Sequence, residues 1–171
     1  MRPLTNLSTA ALSAQTSFRT ERWRIAIGSD ITGSTFRATL KADLESDERV
    51  TGVIDLGVQA QQLTSSDHVA VAAAHLVTEG LADRALLISG SGLGVAISAN
   101  KVRGIRAVTA SDSASVRRSV LDNDAQVLCL GYRVINLELA RQLANEWLDY
   151  RFDCLSAHNV AVLQGVSGTD I

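Results

Sequence analysis

Gly90, Gly92 and Gly94 stand at alternate positions in the stretch ISGSGLGVAISANK, Ile88 to Lys101, with Ser89 and Ser91 beside them. An apolar run precedes them and helical spacing follows. Glycines in such a turn permit positive φ and let backbone N–H groups face a ligand, and the next helix brings its positive dipole end to the same point. The two serines add hydroxyls. This is the chemistry of a phosphate or oxyanion cradle. It is not a Walker loop, since no Gly-Lys-Ser/Thr ending is present. Nor is it a dinucleotide fingerprint, because it follows the third strand-like run and has no spaced acid behind it. A tight strand–helix turn without a ligand fits the same residues, so the motif alone names no substrate.

Other reactive side chains are sparse. Asp30, in SDITG after the first apolar run, serves either as a general acid/base or as a helix cap. His68 reads as a hydrogen bonder at a helix start rather than a base, and Lys101 as the end of a helix. His68, His75 and His158 lack ligand spacing, so neither a metal nor any other cofactor is expected. Two cysteines, Cys129 and Cys154, are too few for a disulfide framework and point to a reducing, cytoplasmic setting. Cys129 falls in an apolar run and should be inert.

The elements that must position these groups alternate from Trp23 onward. Short apolar runs, WRIAIGS, RVTGVIDLG, RALLIS, GIRAVTA and AQVLCLG, read as strands. Between and after them lie helical patterns: STFRATLKADLES, DHVAVAAAHLVTEG capped by Asp67, LGVAISANKV, DSASVRRSVLDN capped by Asp112, and NLELARQLANEWLDY capped by Asn136. Such alternation predicts a doubly wound, Rossmann-like α/β fold: a five-stranded parallel sheet with helices on both faces and right-handed crossovers. The segments SDITG, SGSGLG, TASD and LGYR then share the edge beyond the strands' carboxyl ends, where ligands of such sheets bind.

The chain of 171 residues suits one domain, and 46% hydrophobic residues can fill a core. A net charge of −2, with no basic patch, argues against nucleic acid. No apolar run is long enough to span a bilayer. Residues 1–22 are rich in Ser and Thr and carry no acid before Glu21. They read as a flexible extension, although a transit peptide has the same balance. The domain is expected over 23–164, with a short tail at 165–171.

RIAIGSD, DRALLISGSGLGVAISANKVRGIRAVTASDS and NDAQVLCLGYRVINLELARQLANEWL resemble the ribose-5-phosphate isomerase B and galactose-6-phosphate isomerase family, from Arg24 to about Leu163. The likeness is greatest to the branch that includes D-erythrulose-4-phosphate isomerases. It implies the fold derived above and interconversion of small aldose and ketose phosphates through an enediolate. It also implies no metal, and a homodimer or homotetramer with active sites at the interface.

The same resemblance marks departures. The family's cysteine before the loop is Ser89 here, and the glutamate that other members carry after it is Val95. Ile31 replaces a polar residue, Ser66 and Asp67 an aromatic and a proline, Ser111 a histidine, Ala114 an aromatic, and Asn159 a cation. Asp122 stands where many members have histidine. Candidates for the chemical step are therefore Asp30, Ser89 and Asp122, the last being either a substitute base or a helix-end surface acid. The expected substrate wall comprises Ile31, Asp67, His68, Gly90, Ser91, Gly92, Gly94, Asn100, Ser111, Asn123 and Arg133. The altered positions favour a diverged enzyme that isomerises or cyclises a bulkier, less charged small molecule, with classical activity weak or lost. A tetrose- or pentose-phosphate isomerase with a relocated base is the second reading, and a non-catalytic subunit the third.

Overall fold

The computed structural model describes residues 22–57 and 65–152. The extension up to residue 21, the tail, Cys154, His158 and Asn159 lie outside the described residues. Ten elements alternate: β1 Trp23–Ser29, α1 Ser34–Ser46, β2 Val50–Asp55, α2 Ser66–Thr78, β3 Arg84–Ser89, α3 Leu93–Ala99, β4 Ala107–Thr109, α4 Ser113–Leu121, β5 Val127–Gly131 and α5 Leu137–Asp149. The strands form one parallel sheet in the order β2-β1-β3-β5-β4. This is the expected doubly wound architecture.

Burial explains why the central strands read as unbroken apolar runs. Every residue of β3 and β5 is buried, as are the last five of β1, because helices cover both faces. One face packs Ile25, Ile27, Leu86 and Leu128 against Leu40 and Leu44 of α1, Val116 and Val120 of α4, and Leu143 and Trp147 of α5. The other packs Ala26, Leu87 and Cys129 against the alanine-rich α2 and against α3. Small residues let α2 lie close: a Cβ on Gly28 would stand 2.4 Å from Val69 Cγ1.

Caps set the helix starts. Asp112 and Asn136 each accept a hydrogen bond from the backbone N–H three residues on, at 2.8 Å, as expected. Asp67 does not. The N-cap position of α2 belongs to Ser65, whose hydroxyl pairs with His68 Nδ1 at 3.0 Å, and Asp67 falls inside the first turn. β4 is also shorter than the GIRAVTA run, at three residues. Gly104 turns the chain at φ +87° just before it, and the Asn100 amide bonds both backbone groups of Ala107 at 2.8 Å, in place of a further strand neighbour.

Gly131 ends β5 against the glycine loop. A Cβ there would sit 2.7 Å from the backbone C and O of Ser91, a contact that neither chain can relieve by a rotamer change. Gly131→Ala is expected to cost about 2 kcal/mol in urea unfolding. Gly52→Ala, with nothing within 4 Å of the added methyl, should stay within about 0.5 kcal/mol of wild type.

Candidate active site at the carboxyl edge of the sheet

The strand order changes direction between β1 and β3, since β2 lies on one flank of β1 and β3 on the other. The loops that follow these two strands diverge at this switch point, where open α/β sheets have their ligand crevice. Asp30 N–H still bonds Ile88 O at 3.3 Å, so the crevice opens one residue beyond the ladder.

The floor of the crevice is the glycine loop. Gly92 adopts φ +78°, which disfavours any side chain, and a Cβ there would press to 2.9 Å from Thr109 Cγ2. Thr109 Oγ1 donates to Gly92 O at 2.9 Å. On the other flank, Tyr132 N–H and Arg133 N–H donate to Ser89 O and Gly90 O, both at 3.0 Å. The loop is thus held by the Thr109 side chain at the end of β4 and, backbone to backbone, by the β5–α5 connection.

Ser89 is 6% exposed, and its Oγ accepts the Gly92 N–H at 3.0 Å. Ser91 is exposed and its Oγ accepts the Leu93 N–H at 3.3 Å. The two hydroxyls therefore shape the loop besides adding polarity to it. Asp30 is half-buried, with Oδ1 accepting the Gly33 N–H at 2.6 Å, which closes the turn ahead of α1. Asp67 Oδ1 accepts the Ser98 hydroxyl at 3.0 Å and lies 3.6 Å from the position of a Cβ on Gly94. His68, Ser111 and Arg133 are exposed at the same edge, and the Arg133 guanidinium lies 5.8 Å from the Tyr132 ring centre. Ile31 is 70% exposed, and Leu93 and Val134 are each 59% exposed around the loop.

Three expected site residues stand elsewhere in the chain's fold. A helix after a parallel strand runs back toward the strands' amino ends. Asn100, at the end of α3, and Asp122 and Asn123, at the end of α4, consequently lie at the opposite edge. Asn123 O accepts from Arg106 Nε at 2.8 Å, beside the start of β4. One chain brings Asp30, Ile31, Asp67, His68, Ser89, Gly90, Ser91, Gly92, Gly94, Ser111 and Arg133 to the crevice edge, and not these three. Thr109, Gly131 and Ser98 were not singled out as site residues. Thr109 opens TASD and Gly131 lies in LGYR, so both carry a strand-end signal in the sequence, and Ser98 carries none.

Burial pushes the Cys129 thiol well above its ordinary range, which removes it as a nucleophile. Asp112 is held below the usual carboxylate range by the Ser115 hydroxyl and backbone N–H. Among the described residues, no group of three or more His, Cys, Asp or Glu side chains is placed to hold a metal, and no helix is long and apolar enough to cross a membrane.

The ribose/galactose isomerase family model matches residues 25–164. A D-erythrulose-4-phosphate isomerase of Mycolicibacterium smegmatis is 59% identical over 135 residues, 78% of this chain and 89% of that protein. Ribose-5-phosphate isomerase B of Escherichia coli is 38% identical over 130 residues, 76% of this chain and 86% of that protein. The solved ribose-5-phosphate isomerase B of Clostridium thermocellum superposes with a TM-score of 0.77 at 35% identity, covering 84% of this chain and 96% of that one.

Removing the Ser89 hydroxyl leaves the Gly92 N–H buried without its acceptor. Ser89→Ala should cost about 1–3 kcal/mol in urea unfolding, whereas Ser91→Ala, at an exposed position, should cost less than about 0.5 kcal/mol.

Proposed function

Because this chain belongs to the ribose/galactose isomerase family, we propose that it is an aldose–ketose isomerase of a tetrose or pentose phosphate. The observation that carries this reading is the doubly clamped glycine loop at the β1/β3 crevice, with Arg133 tied to Gly90 beside it. The names of the relatives at 59% and 38% identity support the substrate class. In such a reaction the carbonyl carbon and its neighbour exchange roles through an enediolate. A cradle of backbone N–H groups steadies the developing oxyanion, and a cation such as Arg133 engages the phosphate.

A second reading has its own observation. Ile31, Leu93 and Val134 give the crevice edge an exposed apolar rim, which favours a bulkier, less charged substrate. The two readings separate in one NMR isomerisation assay with D-erythrulose 4-phosphate and ribose 5-phosphate. Turnover of either well above the protein-free rate is the expected result. No turnover of both, with calorimetric binding of an apolar enolic ligand in preference to them, would move the assignment to the second reading. No turnover and no ligand at all would make the chain a non-catalytic subunit.

Asp122 and Asn123 can approach a glycine loop only from another copy, and Leu93 and Ile97 expose 59% and 62% of their surface one turn apart on α3. These features support a homodimer or homotetramer with shared sites as part of this proposal. Light scattering at micromolar concentration is expected to give at least a dimer mass, and a monomer would exclude any role for Asp122 in the site.

A further inference from the structure

The isomerase reading requires a group that carries a proton between adjacent carbons, and the glycine loop does not contain one. Ser89 is buried and bonded to the Gly92 N–H, and the residue after the loop is the buried, apolar Val95. Among the described residues, the carboxylates at the carboxyl edge of the sheet are Asp30, Asp55, Asp67, Asp112 and Glu138. Most of them are engaged. Asp30 closes the turn with the Gly33 N–H. Asp55 pairs with Arg37 and also accepts the Gly57 N–H. Asp112 caps α4 through Ser115. Glu138, exposed in the first turn of α5, makes no hydrogen bond or ion pair among the described residues, and no bond ties it to the glycine loop or to α3.

Asp67 has open lone pairs and is anchored against α3, beside the glycine loop. Among the described residues it holds no backbone N–H and no ion pair, and its one hydrogen-bond partner is the Ser98 hydroxyl at 3.0 Å. That bond fixes the side chain between α2 and α3 and leaves carboxylate lone pairs open. Its Oδ1 stands 3.6 Å from the Cβ position of Gly94, so the absent side chain there leaves the carboxylate uncovered beside the loop. The displacement of the cap to Ser65 is what frees it.

We infer that Asp67 is the catalytic acid/base. Its carboxylate removes the proton from the hydroxyl-bearing carbon next to the aldehyde. The C–H pair becomes the new C=C bond, and the carbonyl π pair moves onto oxygen. The neighbouring hydroxyl proton passes to that oxygen. The Asp67 carboxylic acid then returns its proton to the former carbonyl carbon as the second oxygen forms the ketone. The carboxylate is regenerated, and the ketose is an isomer of the aldose, with no other reactant.

The full-length protein is assayed with D-erythrulose 4-phosphate and with ribose 5-phosphate by NMR, in H₂O for turnover and in D₂O for exchange. Asp67→Asn keeps an acceptor for Ser98 and is expected to lower kcat by about 100-fold or more, with KM within about threefold. In Asp67→Ala, sodium formate should restore turnover at least about tenfold, which loss of packing alone would not allow. Asp67→Asn within about threefold of an active wild type overturns the assignment alone. So does failure of formate rescue in a folded Asp67→Ala, or loss of exchange in His68→Gln while Asp67→Asn retains it. A wild type without turnover or exchange of either D-erythrulose 4-phosphate or ribose 5-phosphate overturns the isomerase reading, and this role with it.

Discussion

The candidate site depends on two backbones touching. Gly131 lets the end of β5 pass within van der Waals range of Ser91, and Gly92 lets the loop turn beneath Thr109. Backbone contact at Gly131, with the Thr109 and Ser89 hydroxyls on Gly92, fixes the β3–α3 loop to the sheet. The two bonds from Tyr132 and Arg133 to Ser89 and Gly90 carry the β3–β5 ladder past the strand ends. Rigid elements with short connections hold a site more closely than long loops do, and this crevice has sheet geometry almost to its tip.

The far end of the sheet fixes the C-terminus of α5, the helix that leaves the β5–α5 connection. Arg84, 5% exposed at the start of β3, donates to Trp147 O and Tyr150 O at 2.7 Å, at the C-terminus of α5. Its guanidinium lies 4.0 Å from the Trp23 ring centre and 5.1 Å from that of Trp147. Among the described residues, no carboxylate bonds to it. The negative end of the helix dipole and two aromatic faces take that place, and burial pushes its pKa down to about 9. With Asn136 capping the other end, α5 is held at both termini, and Tyr132 just before it packs on Phe36 of α1 at 6.2 Å.

Acidic residues at the crevice edge divide by what they hold. Asp30 and Asp112 satisfy backbone N–H donors ahead of α1 and at the start of α4, and Asp55 neutralises Arg37. Asp67 sits on a helix whose cap position is already taken, so its carboxylate is left with one hydroxyl partner, on α3. In sequence it looks like the best cap in its segment. Ser65, two residues earlier, takes that place by adopting the extended conformation itself.

The order of elements, both faces of the core and the glycine turn were legible in the chain because their causes are local. Apolar periodicity, Asp112 and Asn136 as caps, and glycines at strand ends act over a few residues. Two things were decided only by the tertiary structure. Which edge a residue occupies follows from the direction of its helix, and this sends Asn100, Asp122 and Asn123 away from Ser89, although all lie near family-like motifs. Which acid stays unengaged follows from partners far along the chain: Ser98 reaches Asp67 across 31 positions, and Gly131 meets Ser91 through backbone contact that no local pattern encodes. Hydrogen-bond satisfaction is settled between elements once they pack, so the chemistry of this edge is fixed by packing, while the elements beneath it are fixed by sequence.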